Sequence, residues 1–174
     1  MTTPKKVPEN HPVCRLFRTL TERAMNRAQI PDSQIIMYVS DMLLHFLHAE
    51  NLYPYRGDAG EKVCHVTDLI EMAEQATEQR QEIYQYLGDY LLFVLGVFPE
   101  SLEKPRRTSS PAFYAYHGRR SYLAASELQR HSDSIHLYRK MAAQFERCVL
   151  GLNWFKEYTQ DPFYQYMLRE FSVG

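Results

Sequence analysis

The stretch YLGDYLLFVLGVFPE, residues 86–100, places one acid, Asp89, at the head of a run whose residues 90–98 carry no charge. On a wheel of about 100° per residue, Ile83, Leu87, Leu91, Val94 and Phe98 form one apolar stripe. Asp89, Phe93, Gly96 and Val97 occupy the opposite side. A helix that is apolar on both sides is enclosed by neighbours, so the spacing predicts a buried central helix over about residues 80–98. Pro99 ends it, because proline cannot continue a helix and disfavours helical geometry at Phe98.

The flanking sequence supplies the neighbours. Pro12 suits a first helical position, and Val13, Leu16, Phe17, Leu20 and Ala24 follow one helix face. A second helix is expected after PDS, with Asp32 or Ser33 as N-cap and Ile35, Val39, Met42, Leu43 and Phe46 as its stripe, running to about Glu50. The breaker-rich NLYPYRGDAG stops it. Thr67 is the expected cap of a third helix, which joins the central one directly or after a break near Thr77. A further helix starts at about Pro111 and runs to about Arg130. Tyr138, Met141, Ala142, Phe145, Cys148, Val149, Leu152 and Phe155 then advance by threes and fours as one long core-packing helix. A short final helix, FYQYMLREF, follows the DP pair after Thr159. No segment alternates with β-branched enrichment, so the expectation is an all-α, single-domain bundle of six or seven helices over residues 12–174, preceded by a mobile tail over residues 1–11.

Composition narrows the function classes. The 174 residues are 45% hydrophobic and 24% charged, which suits one folded domain. Thirteen tyrosines and nine phenylalanines favour a core with internal hydrogen bonds or an aromatic-lined cavity. A net charge of -1 and a pI near 6.7 lack the basic footprint of a nucleic-acid or anionic-membrane binder. No apolar run is long enough to span a bilayer, and MTTPKKVPENHP has no apolar signal-peptide region, so a cytoplasmic protein is expected. Cys14, Cys64 and Cys148 are odd in number and widely spaced, which reads as reduced thiols rather than a disulfide framework or zinc knuckle.

A buried acid needs a cation and donors, or it must take up a proton. On the helix after Pro111, Phe113, Tyr116, Arg120 and Ala124 share a stripe, which sets Arg120 on an apolar face. The expected arrangement is a buried Asp89–Arg120 ion pair completed by a tyrosine hydroxyl, with Glu127 as a competitor for Arg120. Two functional readings stand beside this structural one. Asp89, Arg120, His117, Tyr90 and Tyr116 could line a ligand pocket, or the acid could take part in catalysis. No nucleophile, base and orienting group stand at recognisable spacing, so no catalytic residue is assigned.

Asp41, His45 and His48 have a spacing that can put three metal ligands on one helix face. They centre about 160° from the apolar stripe of their helix, however, and bundle metal ligands point inward. No ExxH occurs, and no cofactor is expected. KPRRTSSP clusters Lys104, Arg106 and Arg107 near Ser109 and Ser110 as a solvated loop or a phosphorylation segment. Trp154 lies off its helix stripe, where it forms a binding surface unless the final helix covers it.

The blocks LGDYLLFVLGVFPESL, YAYHGRRSYLAA and YRKMAAQFERCVLGLNWF resemble successive blocks of an uncharacterised family of all-helical bacterial proteins. In that family an apolar Leu-Gly-Asp helix ending in Phe-Pro precedes a Tyr, Gly and Ser-Tyr helix. The resemblance spans roughly residues 34–171, departs from the pattern at HGRR, and implies a helical fold without an assigned activity. The expected function is therefore a non-enzymatic helical protein that binds a protein partner or a small ligand, with a homodimer left open. The alternative is a metal-dependent oxidase or oxygenase-like bundle enzyme, which would need inward carboxylates and histidines from at least three helices.

Overall fold

Helix α1, Pro12–Arg27, begins as its proline predicts: the His11 ring nitrogen Nδ1 accepts from the Val13 N–H at 3.2 Å and caps the first turn. The structure, a computed structural model, describes residues 7–102, 110–162, 165, 166 and 169. The first six residues of the expected tail, Lys104, Arg106, Arg107 and Ser109, and most of the expected final helix lie outside these. Residues 7–11 are described, and Val7 packs against the core while the Pro8 carbonyl accepts from Cys14 Sγ.

Helix α2, Ser33–Phe46, is capped by Asp32, whose carboxylate accepts from the Gln34 and Ile35 N–H groups. Its predicted stripe is buried throughout, but the helix stops at Phe46, and a 3-10 turn, Ala49–Leu52, follows. Helix α3, Val66–Gln75, starts after His65 rather than after Thr67. The chain breaks before α4, Arg80–Val97, which is the buried central helix. Helix α5, Pro111–Leu128, is capped by the Ser110 hydroxyl.

The long stripe from Tyr138 onward divides into α6, Ser132–Ala143, and α7, Phe145–Thr159. At Gln144, φ is -101° and ψ is 12°. Hydrogen bonds of helical spacing still run from Gln144 to Lys140 and from Cys148 to Gln144, so the break is a kink rather than a loop. It leaves the stripe buried and redirects it: α6 packs on α5, whereas α7 packs on α4 and α1. The described residues thus form an all-α bundle of seven helices, with α4 packed among α3, α5 and α7. No helix among them is long and apolar enough to cross a membrane.

Glycines allow the close crossings. A Cβ on Gly96 of α4 would stand 2.4 Å from Leu152 of α7, and one on Gly118 of α5 would stand 2.2 Å from the Phe145 ring. Neither site has room for a side chain, which explains why a residue that costs about 1 kcal/mol in a helix stands there.

Candidate functional site

Asp89 sits where four helices meet. Its Oδ1 accepts two hydrogen bonds of 2.7 Å, from the Tyr38 hydroxyl of α2 and the Tyr122 hydroxyl of α5. Tyr138 of α6 closes the group, its ring edge-on to Tyr38 at 5.9 Å and stacked on Tyr122 at 6.3 Å. Gly88 makes this possible. The Tyr122 ring lies so close over it that a Cβ there would be 2.8 Å from the ring carbons.

The predicted tyrosine hydroxyl is therefore present twice, and the predicted guanidinium is absent. Arg120 is exposed, joins no ion pair among the described residues, and stands 5.9 Å from the ring of Tyr116, itself 48% exposed. The reason is the rotation of α5. Its inward face is Tyr114, Gly118, Ser121, Tyr122 and Ala125, not Phe113, Tyr116, Arg120 and Ala124. The ion pairs found are at the surface, among them Lys140–Asp32 at 2.7 Å and Lys156–Glu100 at 2.8 Å, so the expected buried salt bridge is corrected.

With no cation beside it among the described residues, the Asp89 carboxyl is pushed up to about 7 by burial, against the opposing pull of the two tyrosine hydroxyls. Burial, and then the nearby Asp89 charge, hold Tyr38 and Tyr122 well above the ordinary phenol range, so both stay protonated donors. Among the described residues no hydrogen bond reaches Asp89 Oδ2.

Asp89 also lines a half-open cavity of about 290 Å³ between the end of α2, the 3-10 turn, the following loop and α4. Glu82, Gln85, Tyr86 and Asp89 advance by threes and fours, so one face of α4 lines the cavity from exposed Glu82 down to Asp89. Phe46, Pro54 and Tyr55 form the opposing wall, with His45, Glu50 and Asn51 at its α2 side. The Tyr86 hydroxyl donates to the Leu52 carbonyl and ties α4 to the turn. Burial and the neighbouring Glu82 charge raise the Tyr55 phenol to about 12.

Of the candidate ligand residues, only Asp89 lines this cavity. Tyr90 is buried behind it, stacked on Tyr86 at 5.8 Å and 6.0 Å from the Tyr53 ring. His117 and Tyr116 lie elsewhere, on α5. The His117 ring packs 4.3 Å from Phe113, and burial together with the Arg120 charge lowers its pKa.

The metal triad does not assemble. Helix α2 ends before His48, whose backbone is extended, so the one-face spacing of Asp41, His45 and His48 is lost. No group of three His, Cys, Asp or Glu side chains among the described residues is placed to hold a metal ion. Asp41 and His45 line a separate cavity of about 390 Å³ beside Arg18 and Cys14.

Trp154 is covered, though from α1: the Arg27 guanidinium lies 3.3 Å from its ring centroid and reaches the Tyr158 hydroxyl.

The cavity wall from Asn51 to Tyr55 reads in the sequence only as a breaker-rich stop. The signal that marks it is the polar stripe Glu82, Gln85 and Asp89 on a helix otherwise enclosed. Comparison of the chain with protein-family models, with curated proteins and with solved structures gives no match.

Proposed function

We propose that this chain is a non-enzymatic helical binding protein that takes a small ligand in the cavity lined by Asp89. One observation carries the reading: a carboxyl with no cation partner among the described residues, fixed by two tyrosine hydroxyls on one oxygen, opens onto a concave, partly aromatic surface. A purely structural acid would have partners for both of its oxygens inside the fold. Among the described residues Asp89 Oδ2 has no donor, and the side of α4 that carries it faces a cavity.

The lining holds no serine, threonine, cysteine or lysine nucleophile, and binding is the reading preferred for its carboxylates and aromatic rings. A cytoplasmic setting goes with this reading, and the free thiols of Cys14, Cys64 and Cys148 support it. The test is a neutral and charged fragment library screened by amide chemical shifts on the full chain. Fragments that bind are expected to move Phe46, Tyr55, Tyr86 and Asp89 together. A library that moves only residues remote from this cavity, or none, overturns the reading.

A further inference from the structure

We propose that the ligand of this cavity is a small organic cation, an ammonium group carried on an apolar or aromatic body, with the ammonium at Asp89 and the body against Tyr55, Tyr86 and Phe46. The inference rests on the reading of the cavity as a ligand site and goes on to its chemistry. Three carboxylate side chains, Glu50, Glu82 and Asp89, are among the residues lining it, and no lysine or arginine is. An anionic ligand would meet like charge at the mouth and again at the base, whereas a cation meets opposite charge along the whole path.

Asp89 supplies the specific contact. Oδ1 is occupied by Tyr38 and Tyr122, which hold the carboxyl plane in place, and Oδ2 lacks a protein donor among the described residues. An ammonium N–H supplies that donor and the missing positive charge in one group, a charge-assisted bond in a partly desolvated place. The Tyr55 and Tyr86 side chains also line the cavity, and an aromatic ring attracts a cation that reaches its face. A bare metal ion is the poorer fit, since hard cations require six or more oxygens and no group of three acidic, histidine or cysteine side chains converges among the described residues.

The experiment titrates benzylammonium, benzyl alcohol and benzoate into the full chain at pH 8, with amide shifts of the cavity residues as readout. It is repeated on Asp89→Asn and on Glu82→Gln, the latter at an exposed position. Benzylammonium is expected to bind best and to lose roughly tenfold in affinity in Asp89→Asn, while benzyl alcohol is unchanged. Glu82→Gln is expected to weaken benzylammonium by about twofold, as a partly screened charge at the mouth would. If benzyl alcohol or benzoate binds as well as benzylammonium, or Asp89→Asn leaves benzylammonium unaffected, the cation assignment fails and the cavity reading stands. If none of the three probes moves the cavity residues, both fail.

Discussion

Asp89 is held in place by hydroxyls that orient it without cancelling its charge, and this has a thermodynamic sign. The folded carboxyl titrates at about 7, above the ordinary value of 3.8, so between those values the folded chain binds more protons than the unfolded one. Its contribution to stability is fully present below about pH 4 and is lost as pH rises through 7. Each unit of displacement corresponds to about 1.4 kcal/mol, which makes the full loss a few kcal/mol at most. Asp89→Asn keeps an acceptor for both hydroxyls and removes the titration. Urea denaturation is expected to find it equal to the parent chain near pH 4 and more stable at pH 8. A parent-minus-variant difference that does not change with pH would remove the uncompensated acid. At the neighbouring position, Gly88→Ala gains helix propensity but drives a methyl into the buried Tyr122 ring. A net destabilisation of about 1–3 kcal/mol is expected, with the Tyr122–Asp89 bond lost, and a variant as stable as the parent would show that the ring can yield.

Among the elements, α1 carries a local strain that can be tested alone. Gln29 closes the helix with φ at 61°, and the Ile30 N–H returns to the Met25 carbonyl at 2.9 Å. This is the left-handed closure that glycine fits without penalty. Gln29→Gly is expected to raise stability by about 1 kcal/mol in thermal unfolding, and a lower midpoint would show that the Gln29 side chain outweighs the strain. Helices α1 and α2 were legible because their large apolar residues recur at one face, and α4 because its run is apolar on both sides. Helix α5 was legible as a helix from Pro111 onward, but its inward face was not, and its two faces explain the error in Arg120. The inward one is built from Gly118, Ser121 and Ala125 beside two tyrosines, small residues that register as neutral on a hydrophobic wheel although they are what lets the helix approach α4 and α6. The outward stripe has Phe113 and Tyr116 and therefore looks like a core. Asp89 itself was legible as an acid needing donors, although it is half-buried at the cavity rather than enclosed. Its partners were not, because Tyr38 stands 51 residues away and the pairing depends on helix rotation. The kink at Gln144 left no periodic trace, since the hydrogen bonds on either side keep the apolar residues in phase.

Across the whole molecule, the class of fold follows from helix periodicity and breakers, while the order in which helices pack does not. The first helix packs on the last large one: the Phe17 and Phe155 rings meet at 5.3 Å, and a Cβ on Gly151 would touch Met25. Lys140 of α6 bonds both Asp32 and Gln34 at the start of α2, and it is the main reason the Asp32 carboxyl lies below its usual range. These contacts span 131 residues between Arg27 and Tyr158 and 108 between Lys140 and Asp32. In synthesis α1 and α2 can meet early, whereas α7, which covers the other side of α1, is made long after both. Until α7 has emerged from the ribosome, Phe17 and Met25 lack the surface that covers them, and that greasy face is a natural target for a holding chaperone.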